Sequence, residues 1–349
     1  MLLFTELLLV FARDVFLWIG VGFLLARLRW LQASHFNFIL QWLVVRTLFP
    51  LLIFSNIWRH LTMEQLPLTI LLAVAASVMI VMAALTSIVV CRVFRPAYPR
   101  IFQVAGSLHN YGFAVYPLVQ SLLGAASLPL AFVFIVTCDV WFWIIGKGRL
   151  TAHWAQSVNN EFRLPVLRAI LSAPLVAVIA GLLFVISGWR DGLALEFPAW
   201  LSGTAQAAIP MALISIGGIS QNALRSQTPA ITRLIQRDTV LLLGLRQVLL
   251  PLCWGVILAL IPLKSEVRVI LAIEAVMPAS LGIIFLVSLY TRPLSAPRLA
   301  ATVAADIASQ TDYQTGLQFC TRFSLISNLL GLITVPLWLS LGLLLFQLD

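Results

Sequence analysis

Apolar runs of roughly twenty residues, the length a helix needs to cross about 30 Å of hydrocarbon, recur along the whole chain. They lie at 7–26, 38–58, 66–90, 102–123, 127–146, 164–187, 197–219, 238–261, 267–290 and 317–346. Backbone polar groups find no water at that depth and must bond within their own segment. The fold class that follows is an all-α integral membrane protein. Composition agrees, because 61% hydrophobic and 10% charged residues leave too little polar surface to cover one soluble core. A cleaved leader would be one short apolar stretch ahead of a polar chain, so the first run is read as a retained span.

Lys and Arg stay on the cytoplasmic side of a membrane, and their placement tests the ten-span reading. Loops after spans 1, 3, 5, 7 and 9 carry 13 of them, while the other side carries Arg59, Arg190, Lys264 and Arg268. The imbalance places both termini outside the cytoplasm of a bacterial-type inner membrane. Five spans per half is an odd number, so a repeat of the first half enters the membrane upside down. The expected organisation is a five-helix repeat over 1–146, a cytoplasmic connector over 147–163 and a second, inverted repeat over 164–349. The net charge of +9 is thereby explained by orientation, with no basic aromatic module to suggest nucleic acid. Trp30, Trp58, Trp154, Trp189 and Trp200 fall near predicted span ends, as in an interfacial belt. The stretch Ala296–Gln310 is expected to form a short helix lying on the membrane.

Prolines recur in register between the halves. Pro50 to Pro117 is 67 residues and Pro210 to Pro278 is 68, with the halves offset by 160 or 161. Pro117 closes the segment N-Y-G-F-A-V-Y-P from Asn110, and Pro278 closes E-A-V-M-P from Glu274. Paired, proline-interrupted hydrophobic segments at corresponding places are the sequence signature of a transporter binding site near the bilayer midplane. Gly106, Gly112 and Pro117 let the chain unwind, and Asn110 offers a donor and an acceptor without a charge to bury. A half-helix starting there aims free N–H groups and its positive end at an anion.

Ionisable residues within spans cost roughly 2.5 to 3.5 kcal/mol each on insertion scales and so need a partner, water or a function. Arg13 and Asp14, adjacent on a helix, point about 100° apart, which favours an Asp14–Arg46 bridge. Asp139, near the middle of the fifth span, is either a proton carrier or the partner of Arg246 or Arg322. Glu274 precedes Pro278 by one turn, where the proline frees backbone carbonyls. It reads as a sodium or proton site, or as a cap or arginine partner of the broken helix. Cys91, Cys138, Cys253 and Cys320 lack metal or redox spacing and are read as apolar packers. His35, His60, His109 and His153 show no paired spacing for a metal helix, and no Walker motif is present. Neither a metal nor a cofactor is expected, and uphill transport would draw on an ion gradient.

The stretch G-S-L-H-N-Y-G-F-A-V-Y-P-L-V, Gly106 to Val119, resembles the fourth-span crossover of the auxin efflux carrier family. Bacterial members of that family include proteins described as malate and malonate permeases. I-P-M-A-L-I-S-I-G-G from Ile209, the E-A-V-M-P-A turn, and L-I-T-V-P-L-W-L from Leu332 support the likeness across nearly the whole chain. The resemblance implies ten helices in two inverted five-helix repeats, with a scaffold part and a transport part. Helices 4 and 9 would be broken and cross at the substrate site, carried here by Asn110 and Pro117 in the fourth span and Pro278 in the ninth. Val115 departs from the glycine many members have, and the 291–316 connection is longer than the usual link. Kinship of fold also extends to sodium-coupled bile-acid carriers, in which an acidic residue helps hold sodium. Glu274 would take that part by analogy.

The sequence therefore predicts a secondary transporter of a small organic anion, a carboxylate by preference, with sodium or protons left open as coupling ions. Asn110, Tyr111, Gly112, Pro117 and Pro278 are the expected substrate-binding residues, with Glu274 and Asp139 for ion coupling. Expected partners are the anion and the lipid bilayer, and a homodimer is compatible with the reading. Three alternatives stay open. A cation/proton antiporter would use Asp139 and Glu274 as the exchanging acids. A membrane-embedded enzyme would need a clustered His, Asp or Arg constellation, for which an isolated His109 is a poor substitute. A non-transporting sensor would share the fold.

Overall fold

The computed structural model describes residues 2–28, 39–40, 42–151, 172–188, 197–225, 233–290 and 303–345. Regular structure among them is helical. In chain order the helices are α1 (Leu2–Phe11), α2 (Leu17–Arg27), α3 (Phe49–His60), α4 (Leu66–Phe94), α5 (Pro99–Ser107), α6 (Val115–Leu123), α7 (Leu128–Thr151) and α8 (Ala173–Ile186). There follow α9 (Ala199–Gln206), α10 (Ala208–Arg225), α11 (Arg233–Gly244), α12 (Leu250–Leu260), α13 (Ser265–Val276), α14 (Gly282–Tyr290) and α15 (Val303–Leu345). Wider π turns join α1 to α2 (Ala12–Phe16), precede α3 (Val44–Leu48) and join α11 to α12 (Leu245–Leu249).

Among the described residues six helices are long and apolar enough to cross a membrane: Phe4–Arg27, Met63–Phe94, Ala125–Leu150, Ala199–Gly218, Gln236–Leu260 and Thr315–Leu345. The other four predicted runs fall into two kinds. Those at 102–123 and 267–290 are interrupted helices, and those at 38–58 and 164–187 lie partly outside the described residues.

Local chemistry sets the boundaries. Thr62 and Gln65 form a capping box ahead of α4, and Arg95, in the left-handed conformation at φ 47°, ends it. Ser172 caps α8 by accepting from the Leu175 amide. Pro50 and Pro251 each have no N–H to give the carbonyl four residues back, and each follows a π turn that contains that carbonyl, at Arg46 and Gln247. The carbonyl of Gln247 instead accepts from the Trp338 indole at 2.8 Å.

Two groups of helices pack closely. In the first, α2 lies against α10 and α3 against α8 and α9. The α2–α10 contact brings backbones together: a Cβ on Gly22 would meet the Ile214 carbonyl oxygen at 1.9 Å, and one on Gly217 the Ile19 oxygen at 2.0 Å. In the second, α4 packs on α5 and α7, and α12 to α15 gather around the interrupted segments. Phe49 on the first group meets Phe113 and Phe132 of the second, with ring centroids 4.9 and 5.9 Å apart. The outer face of α4 exposes Ile70, Val74, Val78, Val81, Leu85, Val89 and Val93, an apolar stripe suited to lipid. On α15 the outward Leu329, Ile333, Leu337 and Leu344 oppose an inward row of buried Ser324, Ser327 and Asn328.

Four sequence expectations need correction. Arg13 and Asp14 do pair, through Nε–Oδ1 at 2.8 Å and Nη2–Oδ2 at 2.9 Å, because they sit in a π turn where the 100° step does not hold. Asp14 therefore does not bridge to Arg46, which is exposed. Residues 303–310 are the first turns of the 43-residue α15 and not a separate short helix, while 291–302 lie outside the described residues. Trp58 is buried against Phe184 and Phe54, at 5.0 and 5.8 Å, because α8 covers the end of α3. Trp200 is exposed as a belt residue would be, and Trp30, Trp154 and Trp189 lie outside the described residues, as do 152–163 of the expected connector.

Candidate functional site

The helix α5 stops at Ser107 and α6 starts at Val115, while α13 stops at Val276 and α14 starts at Gly282. The chain is extended where it leaves α5 at Leu108 and α13 at Met277, and the two segments that follow lie side by side. Asn110 N donates to Pro278 O at 2.7 Å, Ser280 N to Leu108 O at 3.1 Å, and His109 and Ala279 form an antiparallel bridge. Pro278 supplies an acceptor and needs no partner for an N–H. Its ring packs on Gly331 of α15, where a Cβ would stand 3.1 Å from Pro278 Cγ.

Polar groups of α15 hold this crossing from one side. Ser327 Oγ accepts from the Ala279 amide at 3.0 Å, Asn328 Nδ2 donates to Ala279 O at 2.8 Å, and Asn110 Nδ2 donates to Asn328 Oδ1 at 3.1 Å. Gln247 joins them, donating to the Ser327 carbonyl and hydroxyl at 2.9 and 3.0 Å and accepting from Thr334 at 2.7 Å.

Charged groups hold it from the other side. His109 Nε2 is 3.0 Å from Glu274 Oε2, with both side chains buried. Arg246, also buried, donates from Nη2 to Met277 O at 3.1 Å and from Nη1 to Gly106 O at a long 3.5 Å. These are the carboxyl ends of α13 and α5. His109 looks isolated in the sequence, because its partner lies 165 residues along the chain and leaves no local signal. Arg246 reaches carbonyls of the breaks and not Asp139. The Asp139 carboxylate instead accepts from Tyr111 Oη at 3.3 Å, which brings a second acid to the first break.

The remaining expected residues divide by surroundings. Pro117 is buried in the first turn of α6, where proline fits because the missing N–H has no helical partner. Gly112 has nothing within 4 Å of where a Cβ would be, so the backbone at the start of α6 is open to approach. Gly106 is helical, and its lack of a side chain serves close packing, since a Cβ would come 2.3 Å from Ser87 Oγ. It does not unwind the chain as expected. Ser324, Ser327 and Asn328 are not among the expected site residues, and their i, i+3, i+4 spacing in an apolar helix is the signal that marks them.

Two cavities lie near these elements, and the smaller one borders the crossing. One, of about 60 Å³, opens between α3, α6 and α9 and is lined by Ser55, Asn56, Arg59, His60, Tyr116, Gln120, Ser202 and Gln206 among others, with no carboxylate. The second, of about 10 Å³, is lined by His109, Arg246, Trp254 and Glu274 with apolar residues of α4, α12 and α13. It has room for about one water. Among the described residues no group of His, Cys, Asp and Glu is arranged to hold a metal ion.

Residues 12–303 match the model of a family described as membrane transport proteins. An uncharacterized transporter of Methanothermobacter thermautotrophicus is 25% identical over 236 residues, covering 67% of this chain and 65% of that protein. The match thus spans a little under two thirds of the relative's length.

Proposed function

Given that the chain belongs to the membrane transport protein family of the auxin efflux carriers, we propose that it is a secondary transporter of a small organic anion, with a carboxylate favoured. In this reading ten spans form two inverted five-helix repeats in a bacterial-type inner membrane, both termini outside the cytoplasm. Asn110, Tyr111, Gly112, Pro117 and Pro278 then form the substrate site.

The observation that carries the reading is the antiparallel contact between residues 108–110 and 278–280. It leaves α6 and α14 beginning beside the crossing, where the amides of Val115, Gly282, Ile283 and Ile284 turn to acceptors two or three residues back and the helix starts keep their positive ends. Each start carries about half a positive charge, which suits an anion. The open space at Gly112 lets a carboxylate approach that backbone. Arg59 adds positive character to the cavity between α3, α6 and α9, and no acid lines it, which suits an anion better than a cation.

Cation/proton antiport is the second reading, and one observation speaks for it: Asp139 meets Tyr111 of the break, so two acids flank the crossing. An enzyme is disfavoured, because the clustered His109, Glu274 and Arg246 share a cavity of about 10 Å³, too small for a substrate.

Purified protein should gain thermal stability from mono- or dicarboxylates, and proteoliposomes should take up the labelled acid that stabilises most. Gly112→Val adds methyl groups where nothing stands within 4 Å, so the fold should persist while carboxylate stabilisation and uptake fall at least tenfold, about 1.4 kcal/mol of binding. Stabilisation by sodium or potassium alone, or a Gly112→Val variant that transports normally, would sink the anion reading and favour the antiporter.

A further inference from the structure

The carboxyl ends of two half-helices and a carboxylate surround the small cavity on the far side of the crossing. In transporters with broken helices, unwound carbonyls and half-helix carboxyl ends are the groups that coordinate a coupling cation. Here Met277 O and Gly106 O, one from each break, already accept from a single guanidinium, that of Arg246. Glu274 Oε1, Arg246 Nε and Trp254 Nε1 are buried without a hydrogen-bond partner, and all three residues line the same cavity.

We propose that Arg246 is a tethered cation that takes the place of a free coupling ion, so that the crossing is held by a charge built into the chain and does not bind sodium or potassium. The electrostatics require a positive charge at this point. Each half-helix end contributes about half a negative charge, and an ionised Glu274 would add a whole one. A buried guanidinium in turn needs acceptors to offset its lost hydration. Its planar fork reaches two carbonyls on separate helices, which a lysine ammonium on a flexible stem does less well. Arg246 lies in the π turn Leu245–Leu249, and single π turns inside α-helices are frequent at functional sites. The next residue, Gln247, holds the opposite side of the crossing through Ser327. One turn of backbone therefore braces both.

This departs from a sodium or proton site at Glu274 and goes beyond the identity of the substrate. It rests on the transport reading only for its consequence, that uptake is independent of sodium. The test needs no substrate. Thermal unfolding of the purified full chain is compared in sodium, potassium and N-methyl-D-glucamine chloride at equal ionic strength. The wild-type midpoint should be the same in all three. Arg246→Gly should lower it by about 5 °C or more, with partial recovery in guanidinium chloride at concentrations far below denaturing ones, or in sodium.

If Arg246→Gly fails to accumulate, Arg246→Lys gives a smaller loss, and adding Glu274→Gln to Arg246→Lys should cost less than the two single losses together. Stabilisation of the wild type by sodium or potassium over N-methyl-D-glucamine would overturn the proposal. So would a Gly variant that no cation rescues, or losses in the Lys and Gln variants that simply add. Failure of every carboxylate to bind would remove the anion reading and leave these thermal results standing.

Discussion

Ser327 takes two hydrogen bonds on one buried hydroxyl, from the Ala279 amide and from Gln247 Nε2, both at 3.0 Å. Removing that oxygen leaves the Ala279 amide without its acceptor, whereas Gln247 keeps the Ser327 carbonyl at 2.9 Å. An orphaned buried donor costs about 1–3 kcal/mol. Ser327→Ala should therefore lower the unfolding midpoint clearly, and Ser324→Ala, whose hydroxyl makes a long 3.5 Å contact with Ser280 O, should lower it less. Equal losses would mean that burial and not the hydrogen bond sets the cost. At this scale the sequence was uneven. Asn110 and Pro278 stood out by their place beside a break, and they meet at 2.7 Å. His109 and Arg246 could not be placed, because their partners lie 165, 140 and 31 residues away and charge alone does not say which distant carbonyl a guanidinium reaches. Arg13 and Asp14 pair against expectation because their stretch is a π turn and not an α-helix.

Helix ends and irregularities were more legible, since they follow from prolines and apolar length. Pro117 marks the first turn of α6 and Pro278 lies two residues past α13, whereas the π turns ahead of Pro50 and Pro251 are not among the expected features. Closeness of packing was not legible: of the glycines, Gly22 and Gly217 look no different in sequence from Gly203. Yet the first two put α2 and α10 in backbone contact, while Gly203 has nothing within 4 Å of its missing Cβ. A Cβ 2.0 Å from the Ile19 carbonyl oxygen meets backbone that cannot rotate aside, so Gly217→Leu must part the helices. Overpacking of that kind costs about 1–3 kcal/mol or more. Gly203→Ala, in a helix with open space, should instead stabilise by about 0.4–1 kcal/mol. Thermal unfolding of the two variants side by side checks both signs, and a neutral Gly217→Leu would show that the α2–α10 contact is looser than its geometry.

At the scale of the molecule, the apolar exterior was legible because lipid is the only solvent that suits stripes such as Ile70, Val74 and Leu85. The grouping of helices was not, because it depends on which apolar faces meet. The group of α2, α3, α8, α9 and α10 touches the crossing through Phe49 against Phe113, and the cavity with Arg59 and His60 opens along the same seam. If transport requires the crossing to shift past that group, the Phe49–Phe113 contact must break in each cycle, whereas binding alone needs no such movement. Cysteines at both positions, joined by a short thiol-reactive bridge, should then abolish proteoliposome uptake while leaving carboxylate stabilisation within a few degrees of the unbridged protein. Of the native cysteines Cys91, Cys138 and Cys320 are buried and Cys253 is half-buried, so a Cys253→Ser background keeps the bridge selective. Uptake that survives bridging would assign the motion to another seam. Loss of binding along with uptake would place the anion between the two rings and not at the start of α6.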